Sequence, residues 1–284
     1  MKNRTQAKGK KIYKVAGIVV GLLLVVKILD YNGSVDSKPS YPGYEMSELG
    51  NYADLEEIYQ GNINLQEENF LFYQTGLGRV GVEGVRKQCD SFSEFLEELQ
   101  TYQKQFFKGD NEKKIVELKT GDVLVSMSQR LCYYPHGHAA IVIDGEKNTI
   151  LEARSYQAGS CVCTLSKWAK LSSFAVLRLK EEVVRSFVEQ GVENPAKSAA
   201  LYADENLEGL KYSLLKDIRY NDENPPQYTQ CAHLVWYAYY AVGLDIDKNR
   251  GLIVRPKDFL KSDVFDVVQI FGMDLEEVLE LRNE

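Results

Sequence analysis

The feature that most constrains this chain is a change in the spacing of its apolar residues near Leu118. Before that point they recur at helical intervals. After it they fall into five short runs, at 122–127, 139–143, 149–153, 161–164 and 175–179, parted by turn signals such as Asp144-Gly145. Runs of that length and separation predict an antiparallel sheet. The stretch from Met46 to about Gly109 reads as a small helical region, best marked where Ser91 and Glu94 form a capping box ahead of Phe95, Leu96, Leu99, Tyr102 and Phe106. Helices follow the sheet, first over 181–190 and then from Pro195, with Asn194 placed to cap. This order of elements is that of an α+β fold.

With 284 residues, 44% apolar and 26% charged, the chain is long enough for a sizeable core, and disordered or collagen-like classes are excluded. Residues 1–14 hold six cations and no acid, so the remainder carries −13 against a total of −7. A body that acidic argues against a nucleic-acid partner. The apolar stretch 15–26, widened to 12–29 when Lys14 and Lys27 snorkel, predicts a transmembrane anchor. Its basic flank belongs in the cytoplasm, which puts everything after about Asp30 on the outer side of the membrane. No small-residue cleavage site follows the apolar stretch, which favours a retained anchor over a secretory signal. The expected organisation is a basic tail and anchor over 1–29, a polar linker over 30–45, a helical region over 46–114, a main domain over 115–272 and a helical tail over 273–284.

Five cysteines are few for an exported domain and odd in number, so a disulfide scaffold is not expected. Context singles out Cys231. In the segment from Thr229 to Gly243, Cys231, Leu234, Val235, Ala238 and Val242 share one helical stripe, which predicts a core helix. With Thr229 as its cap, Cys231 falls in the first turn, where free backbone N–H groups and the helix dipole stabilise a thiolate and an oxyanion formed beside it.

A nucleophilic thiol needs a base, and the chain holds only His136, His138 and His233. His233 lies two residues along the same helix and faces elsewhere. His138 immediately precedes a strand, which gives it firmer backbone support than His136, so His138 is the expected base and His136 the reserve. A hairpin argument locates a third member. If the strands 139–143 and 149–153 pair with positions summing to 290 or 292, Glu152 stands opposite or diagonal to His138 on one face. The apolar neighbours Ile150, Leu151 and Ala153 mark that run as buried, where an unpaired carboxylate is costly.

The succession Gly121-Asp122-Val-Leu-Val, Gly137-His138-Ala-Ala-Ile-Val, Leu151-Glu152-Ala, Trp168, Gly209-Leu-Lys-Tyr212-Ser, Gln230-Cys231-Ala-His-Leu-Val-Trp and Arg255-Pro-Lys-Asp258-Phe-Leu-Lys-Ser262 resembles the YiiX/YebB-like branch of the NlpC/P60 cysteine hydrolases. The resemblance covers about residues 115–272. It implies a circularly permuted papain-like fold in which an antiparallel sheet packs on the nucleophile helix, and it implies Cys231 as nucleophile, His138 as general base and then acid, and Glu152 as the residue orienting it. It also implies that Tyr212 and Gln230 line the substrate or the oxyanion. Such chemistry calls for no cofactor and no metal.

Two readings of other classes stand beside this one. Cys132, His136, His138, Cys161 and Cys163 offer zinc-ligand types, although their spacing matches none of the common patterns. The 18 tyrosines would equally suit a non-catalytic surface recognition module. For a hydrolase on the outer side of a membrane the expected substrate is an amide in cell-wall peptides, with a lipid-like ester or amide as the alternative. The glycines of Gln74-Thr-Gly-Leu-Gly-Arg79 lack the preceding strand and the spacing of a phosphate-binding loop.

Overall fold

In the computed structural model, residues 35, 36, 44–51, 54–109, 112–131, 134–214, 216, 225–251 and 253–283 are described. The predicted anchor, 1–29, lies outside the described residues, and among those described no helix is long and apolar enough to cross a membrane.

Strand β1 (Val35–Asp36) is followed by helices α1 (Leu55–Tyr59), α2 (Leu65–Thr75), α3 (Arg79–Gln88) and α4 (Phe92–Lys108). Helices α2 and α4 begin where a polar side chain meets the exposed N–H groups, whereas α3 follows Gly78 with no side-chain cap. Asn64 and Glu67 form a reciprocal box on α2, and Ser91 Oγ accepts from Glu94 N on α4, while the Glu94 carboxylate reaches back one residue further, to Asp90 N. Strands β2 (Val123–Ser126), β3 (Gln129–Leu131), β4 (Tyr134–Pro135), β5 (His138–Asp144), β6 (Thr149–Ser155), β7 (Gly159–Thr164) and β8 (Phe174–Leu179) come next. Then follow α5 (Glu181–Glu189), α6 (Pro195–Asn206), β9 (Lys211–Tyr212), β10 (Tyr228–Thr229), α7 (Cys231–Tyr240), α8 (Pro256–Leu260), β11 (Phe265–Phe271) and α9 (Leu275–Asn283).

The fold is α+β, built on a six-stranded, wholly antiparallel sheet in the order β11-β8-β2-β5-β6-β7. Five of these strands correspond to the five sequence runs; β11 is an addition that pairs along β8 and forms one edge. Both faces of the sheet are covered. Val123, Val125, Ala139, Ile141, Leu151 and Ala153 pack against α6 and α7, whereas Leu124, Ala140, Val142, Ile150 and Val176 pack against the helical region through Leu71, Val82, Phe95 and Leu99. Double coverage is why the central strands read as continuous apolar runs rather than as alternation.

Glycines Gly76, Gly78 and Gly81 serve this packing. A Cβ at Gly78 would stand 2.0 Å from the Val267 carbonyl oxygen, and one at Gly81 would stand 2.2 Å from that of Val268. Their absence lets the start of α3 lie against β11, where Gly78 N donates to Val268 O and Ile270 N donates to Gly76 O. Part of the expected linker is also laid down on the domain. Val35–Asp36 pairs antiparallel with β3, and the Asp36 carboxylate accepts from Ser172 N and from the Ser128 hydroxyl. The helical tail is not peripheral, since Leu275 and Val278 of α9 are buried in the main core.

Candidate active site

The site is assembled where α7 begins. Tyr228–Thr229 runs parallel to Lys211–Tyr212, and this short pair delivers the chain into the helix. The cap is Gln230 rather than the expected Thr229. Gln230 is extended at φ −126 and ψ 172, and its Oε1 accepts from Ala232 N at 2.9 Å. Thr229 is held in β10, and its hydroxyl meets His233 Nδ1 at 3.1 Å. Cys231 is therefore the first residue of the helix, 4% exposed, with Sγ 3.5 Å from Gln230 Oε1. None of the described residues accepts from the Cys231 N–H, which leaves that donor beside the sulfur.

His138 opens β5 opposite Ser126. Gly137 turns the chain into the strand at φ 71, and its N–H and that of His136 both donate to Gln129 O. The even register argued from sequence is present: Ile141 pairs with Leu151 and Val142 with Ile150, a sum of 292. That places Glu152 diagonal to His138 on the same face, and His138 Nε2 lies 2.8 Å from Glu152 Oε2. The Cys231 side chain lies near enough to the imidazole to raise its pKa together with Glu152. With Nε2 engaged by the carboxylate, Nδ1 is the nitrogen left for the sulfur. The structure thus brings Cys231, His138 and Glu152 together from three separate segments.

The charges of this cluster support one another. Burial alone would lower the His138 pKa, but its interactions with Cys231 and Glu152 prevail and hold it raised at about 10. Burial would raise the Glu152 pKa, and the bond to His138, with the charge of Arg154 behind it, holds it down at about 2. Glu152 is 3% exposed and receives three donors: His138 Nε2, Trp168 Nε1 at 3.1 Å and Arg154 Nε. Trp168 also stacks on the imidazole, with centroids 5.5 Å apart and planes 21° apart.

The other histidines are placed differently. His136 is half-buried, and burial together with the neighbouring His138 charge lowers its pKa. His233 is buried within α7 against Trp236 and Tyr237. Tyr212 is buried in the main core and aligned with Thr229, two residues before Cys231. Gln230 sits against the sulfur, and its amide nitrogen donates to Val254 O at 2.9 Å, which braces the helix start. Cys161 and Cys163 share a face of β7 with sulfurs 3.4 Å apart, Cys161 standing opposite Glu152. Cys132 lies outside the described residues, and among those described no group of three or more His, Cys, Asp or Glu side chains is arranged to hold a metal ion.

Two contributors escaped the sequence argument. Arg154 is two positions beyond Glu152 in the same strand, so the period of two alone would have put it on the same face as that carboxylate. Trp168 was noted in the motif order but given no task; no local signal ties an indole to a carboxylate sixteen residues earlier. No family model matches the chain, and no curated protein or solved structure does either.

Proposed function

We propose that this chain is a cysteine hydrolase with a permuted papain-like catalytic domain, similar in its motifs to the YiiX/YebB-like NlpC/P60 enzymes, and that it cleaves an amide through a thioester. The observation that carries the reading is a single imidazole set between a thiol at a helix start and a buried, ionised carboxylate. Few structural roles call for that arrangement, whereas nucleophilic catalysis requires each part of it. The Cys231 sulfur attacks the carbonyl carbon, and the oxyanion forms beside the Cys231 N–H and the positive end of α7. Collapse breaks the C–N bond as His138 gives its proton to the leaving amine. Water, deprotonated by His138, then cleaves the thioester and restores the thiol. Glu152 keeps the imidazole aligned and favours its protonated form throughout.

The apolar stretch at 12–29 supports an anchored protein whose catalytic domain faces outward, where amides of cell-wall peptides are the substrate class at hand. The test is labelling of the full chain, in detergent, with a thiol-directed electrophile, together with turnover of digested wall peptides. Label is expected on Cys231 first and is lost in Cys231→Ala, and product disappears in both Cys231→Ala and His138→Ala. Label spread evenly over all five cysteines would overturn the proposal.

A further inference from the structure

The guanidinium of Arg154 is engaged along only part of its edge. Its Nε donates to Glu152 Oε1, while none of the described residues accepts from either Nη. Arg154 Nε and His138 Nε2 engage opposite oxygens of the one Glu152 carboxylate, so the guanidinium lies on the Glu152 side of the imidazole. With Nε2 on Glu152, the imidazole has Nδ1 left to face Cys231. The Arg154 side chain is 26% exposed against 3% for Glu152, so the cation reaches from the buried cluster toward solvent where the carboxylate does not. The neighbouring Cys163 does not compete for it at neutral pH. Burial, the contact with Cys161 and the Glu152 charge push that thiol up to about 12.

This placement has a chemical meaning if the site works as proposed above, on which the inference rests. The leaving amine must lie within reach of His138 to receive its proton. Whatever that amine carries then extends across the imidazole, away from the sulfur and toward Arg154. We propose that the free Nη pair of Arg154 receives a carboxylate on the leaving-group side, so that the preferred substrates are peptides cut next to a residue bearing a free α-carboxylate. A planar guanidinium matches a carboxylate with two parallel donors. In the reaction the C–N bond breaks, the amine nitrogen takes the His138 proton, and the departing amino acid leaves with its carboxylate on Arg154. Water supplies the oxygen that ends on the acyl product. The acidic body of the protein would otherwise repel such a substrate, so a cation at this one point acts in selection as well as in binding.

The experiment measures protection of Cys231 in the full chain from alkylation by iodoacetamide, read by peptide mass spectrometry. The protecting probes are N-acetylated dipeptides of varied sequence, each supplied as the free carboxylate and as the carboxamide. In the wild type, at least one carboxylate should protect at about a tenfold lower concentration than its carboxamide, the effect of one charge-assisted pair. In Arg154→Gln that ratio should fall to about one, and in Arg154→Lys, which keeps the charge but not the fork, to an intermediate value. Each of the three measurements is a ratio within one variant, so a general weakening of the site cancels. Equal protection by the two forms in the wild type, protection by neither, or a ratio that survives in Arg154→Gln would overturn the inference. Alkylation that does not favour Cys231 at all would instead remove the hydrolase reading beneath it.

Discussion

Replacing Glu152 by Gln keeps the shape of the side chain and removes its charge. In the protein the carboxylate accepts from His138 Nε2 at 2.8 Å, so the protonated imidazole loses an ionic hydrogen bond and keeps at most a neutral one. Hydrogen bonds to charged groups contribute about 1.5–3 kcal/mol. One pH unit corresponds to about 1.4 kcal/mol, so the His138 pKa, now held at about 10 against the pull of burial, should fall by about one to two units. The chain contains only three histidines, which makes imidazole NMR a direct assay. The wild type should show one resonance titrating near pH 10, and Glu152→Gln should show it titrating near pH 8 to 9. The alkaline limb of turnover should move with it, because His138 must carry a proton to release the amine. A wild-type imidazole titrating near its ordinary value, or a midpoint unmoved in a folded Glu152→Gln protein, would refute the claim that this carboxylate sets the state of the base.

Other consequences can be measured separately. Trp168→Phe removes one donor from Glu152; unfolding should become easier by about 1.5–3 kcal/mol, and the Glu152 pKa should rise from about 2, visible as an acid transition displaced upward in circular dichroism. Stability should depend on pH at two ends. The contribution of His138, whose pKa is raised, is complete below about 6.5 and fades as pH rises through about 10. That of Glu152, whose pKa is lowered, is complete above about 4.5 and fades as pH falls through about 2. Chemical denaturation across pH should therefore find His138→Ala and Glu152→Ala most damaging between about pH 4.5 and 6.5. Gly78→Ala places a Cβ 2.0 Å from Val267 O and should cost about 1–3 kcal/mol by pushing α3 off β11, read as a lowered midpoint in thermal melts.

How far the sequence discloses this arrangement depends on the distance over which each signal acts. The strands of the sheet centre were legible because their burial makes them apolar runs bounded by turns. The pairing of Glu152 with His138 was legible because a hairpin couples nearby positions through parity, a relation that needs no coordinates. β11 was not read. Its residues Asp266 and Gln269 interrupt the apolar run, and Gln269 is buried for a tertiary reason, accepting from Val116 N and donating to Lys114 O. The cap was read one residue early, because Thr is the stronger intrinsic choice and only the β9–β10 pairing shows that Thr229 is already committed to a strand. The task of the glycines near residue 76, a close approach to a strand almost two hundred residues later, has no local signature.

The two covered faces of the sheet also account for the strength of the electrostatics at its centre. One face carries α7 and therefore the sulfur. The other carries the helical region, in one apolar cluster with Trp168, Ala140 and Ile150, the side chains that neighbour Glu152. Lys113 N donates to Ala169 O, so the chain leaving that region is also tied to the turn bearing Trp168. A carboxylate exposed to water would interact with the imidazole far more weakly, since the attraction between two charges falls as the surrounding dielectric rises. Among the described residues the helices before 115 thus place no side chain in the cluster of Cys231, His138 and Glu152 and still shape it, by excluding water from behind the carboxylate beside the imidazole. A chain trimmed to residues 115–272 would retain Cys231, His138 and Glu152 but not the dry environment in which their coupling is strong.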